Sequence, residues 1–389
     1  VTHPEQQAGE LQASLRELAL VFLRLGCTAF GGPAGHIAMM EDEVVRRHRW
    51  LSREKFVDLI GAVNLIPGPN STELALHIGL RRAGWAGFFV AGSCFILPSA
   101  ILVAVIAWAY ARYGTLPQAA GLLYGTKPVI IAIVVQALWS LGRATLKTKF
   151  LVLAGIAAIV AGALDVNPLL LLSLCGGASA ACVALRRRPA GLAALGLFSA
   201  ATGLPPAAAG AAAVGLGTLF FYFLKVGALL FGSGYLLLAF VHDDLVARWH
   251  WLTESQLLDA IAVSQVTPGP LSTAATFIGY ILAGPKGAVV ATLGIFLPGF
   301  LLVGVSGRLV PRLRESRVAG AFLDGVNVAA IALMVVVCWQ LGRAALVDWT
   351  TVVLAVGSAV LLLRFRVNSV WLVLGGALAG LAVSVLGAR

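Results

Sequence analysis

Two Pro-Gly-Pro tripeptides carry the chemistry that this sequence can do. Pro67-Gly68-Pro69 is followed by Ser71-Thr72, and Pro268-Gly269-Pro270 by Ser272-Thr273. Each interrupts an apolar stretch, and each proline removes a backbone donor and breaks a helix. The second piece of a broken helix starts with free N–H groups at the positive end of its dipole. With hydroxyls near the N-cap, such a start is a site for anions. Asn64 and Gln265 stand one helical turn before their breaks, where they can donate to an oxyanion. Glu73 follows the first break, and Ala274 takes its place at the second. Two readings of Glu73 stand side by side: a proton-coupling carboxylate, or a partner for the Arg81-Arg82 end.

Each half also places one cation in an apolar run. Arg24 lies within Leu18–Phe30 and Lys225 within Phe220–Phe231. A charge at the membrane centre costs at least about 2.5–3.5 kcal/mol. No evident acidic partner neighbours either cation in its own helix, so an anionic ligand is favoured over snorkelling. The predicted substrate-binding set is Arg24, Lys225, Asn64, Gly68, Ser71, Thr72, Gln265, Gly269, Ser272 and Thr273. The predicted helix-break or gating set is Gly31, Gly32, Pro67, Pro69, Gly232, Pro268 and Pro270. The plainer reading of these small residues is close helix packing. Asp58 and Asp259 are read as charges complementing a helix start, His36 and His77 as structural, and Arg143 and Arg343 as interfacial anchors.

The elements that hold these residues come from composition and repetition. Of 389 residues only 12% are charged and 59% are hydrophobic, against about 25% charged in a soluble domain. That excludes a disordered chain and leaves too little polar surface for a soluble enzyme. The net charge of +11 is read as basic residues gathered in cytoplasmic loops rather than as a nucleic-acid footprint. The five cysteines form no CxxC pair and no cluster with histidine, so neither a metal site nor a disulfide framework is expected. No cofactor loop and no paired acid, Ser/His or HExxH set appears, so no enzyme is expected.

The chain is duplicated. Trp50-Leu51-Ser52 recurs as Trp251-Leu252-Thr253, Leu97-Pro98 as Leu297-Pro298, and Leu141-Gly142-Arg143-Ala144 as Leu341-Gly342-Arg343-Ala344. The offset is 201 or 200 throughout. This predicts an N-terminal repeat over 1–188 and a C-terminal repeat over 189–389, with an Ala/Gly-rich connector at 189–214. Apolar segments fall at roughly 15–40, 56–80, 85–110, 117–142, 150–164 and 167–185, and again at 216–241, 257–281, 287–307, 318–342, 349–363 and 367–387. Basic residues flank both ends of 56–80, so that segment is read as re-entrant. Basic loops in one half match poorly basic loops in the other, as in an inverted-topology repeat. The expected fold is an all-α integral membrane protein with two homologous halves in inverted topology. It would have about ten transmembrane helices and two Pro-Gly-Pro-broken re-entrant segments.

The motifs resemble the chromate ion transporter family. They are Phe30-Gly31-Gly32-Pro33-Ala34, Trp50-Leu51-Ser52 with Phe56, Asn64-Leu65-Ile66-Pro67-Gly68-Pro69, Ser71-Thr72, Ile78-Gly79, Arg82-Ala83-Gly84 and Phe95-Ile96-Leu97-Pro98. The second half carries a looser copy, in which Leu271 replaces Asn70. The similarity is to the long, fused two-domain form. It implies export of chromate across the inner membrane, with sulfate as a related or competing oxyanion. Protons and a counter-anion remain alternatives as the coupling partner. The functional expectation is a secondary active transporter working by alternating access. An anion channel, or a carrier of sulfate or another oxyanion through the same midplane site, is the alternative.

Overall fold

Each half lays down the same series of helices, because the same apolar runs and the same breakers recur in it. The computed structural model describes residues 14–30, 32–64, 66–114, 116–185, 215–230, 234–365 and 367–387. In the first half α1 is Leu15–Thr28, α2 Gly32–Glu41, α3 Arg53–Val63, α4 Asn70–Tyr113, α5 Pro117–Thr145, α6 Lys149–Ala163 and α7 Pro168–Leu185. In the second half α8 is Leu216–Leu229, α9 Leu236–Val241, α10 Glu254–Val266, α11 Ala274–Glu315, α12 Arg317–Ala345, α13 Trp349–Phe365 and α14 Ser369–Gly387. α2 and α9 run on into π-helical turns at Asp42–Arg47 and His242–Arg248. Local sequence starts several of these helices. Ser14 accepts from the Glu17 N–H at 3.1 Å, and Thr253 and Gln256 form a capping box on α10.

The single segments expected at 15–40 and 216–241 are each two helices. α1 stops at Thr28 and α8 at Leu229. α2 then opens at Gly32, which takes φ +70°, with Pro33 in its first turn. Of the predicted hinge residues there, Gly31 and Gly232 lie outside the described residues, as does the connector 189–214.

α4 and α11 are helical hairpins rather than straight rods. Gly84 at φ +60° and Gly284 at φ +65° turn the chain where no other residue would do so without strain. Beyond each turn the arms lie side by side. Gly79 packs on Gly87 and Ala91, and Gly279 on Gly287 and Ala291, too close for any side chain at those glycines. The arms 70–82 and 85–113 are about 20 and 43 Å long at ~1.5 Å per residue. Arg81 and Arg82 sit at the bend, as the division between segments 56–80 and 85–110 requires.

The halves interlock through their last helices. α14 packs on α5, where Gly121 and Gly125 face Gly376 and Gly380. α7 packs on α12, where Gly325 faces Cys175 and Ser179. Around this bundle the surface is apolar. Leu153, Ile156 and Val160 on α6, and their counterparts Val353, Val356 and Val360 on α13, form exposed stripes at helical spacing. Among the described residues five helices are long and apolar enough to cross a membrane: Asn70–Tyr113, Ala119–Thr145, Pro168–Leu185, Leu271–Ser306 and Arg317–Ala345. The chain is an all-helical integral membrane protein.

Candidate functional site

The first break opens where α3 ends at Val63. Gly68 takes φ +147°, and Pro69 caps α4 without a side-chain bond. The N–H groups of Thr72 and Glu73 donate to the Pro69 carbonyl at 2.8 and 3.1 Å. Ser71 and Thr72 therefore stand inside the first turn of α4 rather than at its cap. At the second break Gly269 takes φ +98°, and Pro270 leads into a 3-10 turn, Leu271–Thr273, before α11 begins. The Thr273 N–H donates to the Pro270 carbonyl at 3.0 Å.

The two breaks are tied to each other's halves. The Gly68 N–H donates to the Leu230 carbonyl at 2.7 Å, and the Gly269 N–H donates to the Ala29 carbonyl at 2.9 Å. Ala29 and Leu230 are repeat counterparts, and they cap α1 and α8. Each break thus rests on the end of the other half's first helix. The same exchange recurs in side chains. Ser99 Oγ lies 3.1 Å from Thr273 Oγ1, while Gly299, at the position equivalent to Ser99, borders Pro69 and Glu73. Contacts in which i meets j′ and j meets i′ are the pattern of a two-fold relation.

The predicted residues at the breaks come together. Ser71, Thr72, Glu73, Ser272 and Thr273 are all buried. Asn64 Oδ1 accepts from Asn70 Nδ2 at 2.9 Å, closing the first break. Gln265 Nε2 donates to the Tyr235 hydroxyl at 2.8 Å, and that hydroxyl lies over Gly32. Thr72 Oγ1, Ser272 Oγ and both carboxylate oxygens of Glu73 are buried without a hydrogen-bond partner. Each such orphan costs roughly 1–3 kcal/mol, and more when charged. Glu73 folds back over Gly68, and its oxygens are not paired with the Arg81-Arg82 end.

Arg24 and Lys225 sit differently from expectation. Each has an acidic partner, supplied not by its own helix but by the π-helical turn. Arg24 lies 3.3 Å from Glu43, and Lys225 lies 3.1 Å from Asp244. Arg47 and Arg248 bind the same carboxylates at 3.1 and 3.2 Å. The Arg24 side chain is 62% exposed and that of Lys225 26%. Their described ionic contacts pin α1 and α8 to the turns. The partners were findable, since Glu43 and Arg47 recur as Asp244 and Arg248 at the repeat offset. Asp259 is also more than a helix-start charge. It is 1% exposed, accepts from the Tyr110 hydroxyl at 2.8 Å and lies 3.8 Å from Lys127. Elsewhere His36 packs edge-on to Phe95, His77 lies 3.5 Å from Ser306, and Arg143 covers the Trp139 ring.

Two cavities lie nearby, one beside Asn64 at the first break and one beside Asp259. One of about 370 Å³ is lined by Asn64, the end of α5 (Leu141 to Lys147) and the start of α12 (Gly320 to Met334). The other, about 330 Å³, is lined by the end of α12 (Ala344 to Val347), the start of α5 (Ala120 to Lys127), Tyr110 and Asp259. Leu123 matches Leu323, Lys127 matches Asn327, and Ala144 matches Ala344. The cavities are repeat counterparts at opposite ends of α5 and α12. Among the described residues no group of His, Cys, Asp and Glu could hold a metal ion.

Comparison with known proteins fits these features. The sequence model of the chromate transporter family matches residues 16–181 and again 217–381. The chromate transport protein of Cupriavidus metallidurans is 32% identical over 95% of this chain and 93% of its own length. That of Pseudomonas aeruginosa is 34% identical over 82% of this chain and 79% of its own. A probable chromate transport protein of Synechococcus elongatus is 30% identical over 87% of both chains. No solved structure matches.

Proposed function

The chain belongs to the chromate transporter family, and from that premise we propose that it exports chromate across the inner membrane by alternating access between two inverted halves. The observation that carries the proposal is the exchange of backbone hydrogen bonds between Gly68 and Leu230 and between Gly269 and Ala29. Because each break rests on the opposite half, rocking one half against the other must rearrange both breaks together. The two cavities support the inverted reading. They lie at opposite ends of α5, a helix about 43 Å long at ~1.5 Å per residue, so each would serve one side of the membrane.

Chromate and sulfate are tetrahedral dianions and need several N–H and O–H donors. The proposed binding set is Gly68, Ser71, Thr72 and Asn64 at the first break, with Gly269, Ser272, Thr273 and Gln265 at the second; the N–H groups of the two glycines are held by Leu230 and Ala29 here and become available only as the breaks rearrange. The orphaned Thr72 and Ser272 hydroxyls are the donors left free for it. Pro67, Pro69, Pro268 and Pro270 keep the backbone broken there, and Gly32 beside Tyr235 lets the first hinge approach the second half. Arg24 and Lys225 act as positive charges held near the ends of α1 and α8 by Glu43 and Asp244. Glu73 is the candidate proton-coupling group. Burying an isolated carboxylate charge costs several kcal/mol, so the position suits a group that takes up and releases a proton as the site opens.

The test is uptake of labelled chromate and sulfate into proteoliposomes under imposed pH and voltage gradients. Chromate accumulation against its own gradient, driven by protons or a counter-anion, is expected, with sulfate competing. Purely downhill flux, indifferent to either, would make the protein an anion channel through the same site.

A further inference from the structure

The two counterpart cavities are alike in position and differ in how their charges are placed: Lys127 and Asp259 line one, Lys147 and Asp324 the other. The cavity of about 330 Å³ carries Lys127 on α5, within the apolar span Ala119–Thr145. Its counterpart carries Asn327 at the equivalent place, and Asp324 where this one has Tyr124. An ammonium inside a spanning helix is costly and needs partners. Lys127 finds two. Its Nζ donates to Ser255 Oγ at 2.6 Å and faces Asp259 Oδ1 at 3.8 Å. The second distance is an ion pair without a hydrogen bond.

Asp259 is held from its other side, by the Tyr110 hydroxyl at 2.8 Å on Oδ2, while Oδ1 is buried with no hydrogen-bond partner. An ammonium has three donors, and among the described residues one of them is committed. The nearby Tyr124 hydroxyl is engaged by Asp348 and does not compete. The arrangement is a cation loosely matched to its internal counter-ion, on the wall of a cavity large enough for an oxyanion. Asp259 lies on α10, the helix that leads to the second break.

We propose that Lys127 is an anion-docking residue on one side of the transport path, with Asp259 as the internal anion that its ligand displaces. An oxyanion arriving in the cavity takes the ammonium from Asp259, and Asp259 takes it back when the anion moves on toward the break. The counterpart cavity has Asn327 at this place, and among the described residues its Lys147 and Asp324 form no ion pair, so the displacement of an internal counter-ion belongs to one side of the membrane. This inference rests on the transport function proposed above.

The experiment measures chromate flux in proteoliposomes of both orientations, with chromate offered from each side in turn. Lys127→Gln is expected to raise the half-saturating chromate concentration at least tenfold from one side only, and Lys127→Arg to restore most of it. Asp259→Asn frees the ammonium and is expected to lower that concentration severalfold from the same side, with slower turnover. A purely structural ion pair gives the other pattern. Both neutral variants would then damage flux alike from both sides, together with thermal stability in detergent. That result, or variants indistinguishable from wild type, overturns the docking role alone. A wild-type protein that moves no chromate overturns the proposed function instead.

Discussion

Gly269→Ala tests the geometry of the breaks most severely. At φ +98° an added Cβ lies 2.6 Å from Ser99 Cβ and 3.0 Å from Ser99 Oγ. The φ strain costs about 1–3 kcal/mol. Overpacking against Ser99, on a helix that cannot easily withdraw, adds about 1–3 kcal/mol. The Gly269–Ala29 hydrogen bond is lost or lengthened as the break shifts, worth a further ~1 kcal/mol. Gly68→Ala is the internal control. Its Cβ would meet the flexible end of Glu73, which can swing aside, so the steric part is largely avoided. Ser99→Gly in the Gly269→Ala background should recover much of the overpacking, because Gly299 occupies the equivalent place in the second half. It loses the Ser99–Thr273 contact and adds a helix glycine, at about 1 kcal/mol each, so recovery is partial. The assay is a double-mutant cycle on thermal unfolding in detergent, run beside chromate uptake. The expected result is a larger loss for Gly269→Ala than for Gly68→Ala, with favourable coupling to Ser99→Gly. Equal losses at the two glycines, or additivity with Ser99→Gly, would falsify the packing of the breaks described here.

Other consequences are simpler to read. Glu73→Gln keeps the shape of the side chain and removes its proton exchange, so chromate exchange is expected to persist while acceleration by a pH gradient disappears; retained acceleration assigns coupling elsewhere. Lys225→Gln leaves the buried Asp244 with Arg248 alone and is expected to cost about 1–3 kcal/mol, measured by thermal unfolding. Arg24→Gln removes a largely exposed charge from Glu43, which keeps Arg47, and should cost under ~1 kcal/mol. Both variants are expected to fold and to lose chromate transport severalfold or more; full chromate resistance in cells carrying either would remove these charges from the mechanism.

Much of the fold was legible because duplication is legible. The repeat offset fixed the counterpart helices, the Pro-Gly-Pro runs placed both breaks, and the divisions at 80/85 and 281/287 fall at the bends, where Arg82-Ala83-Gly84 and Leu282-Ala283-Gly284 turn the chain. The split of 15–40 into α1 and α2 was less visible, since the apolar run continues through a Gly-Gly-Pro that reads equally well as a packing motif. What the sequence hid is contact between distant elements. Nothing local says that the carbonyls of Ala29 and Leu230 meet the opposite breaks. Nor does anything local say that Lys127 lies beside Asp259, because the partners belong to different halves. Arg24 and Lys225 looked unpaired for a nearer reason: their carboxylates belong to the same half but lie beyond a turn, in the π-helical segments. A periodicity argument counts neighbours along one helix and misses those that folding brings to it.

The most direct measurement is the sidedness of the two cavities. Ala144 and Ala344 line them at equivalent positions, so Ala144→Cys and Ala344→Cys can each be made in a chain whose five native cysteines are replaced. A membrane-impermeant thiol reagent is then applied to sealed vesicles from one side or the other, with and without chromate. The expected result is labelling of the two positions from opposite sides, with chromate changing their rates. Labelling of both from the same side would make the repeat parallel and would contradict alternating access between inverted halves.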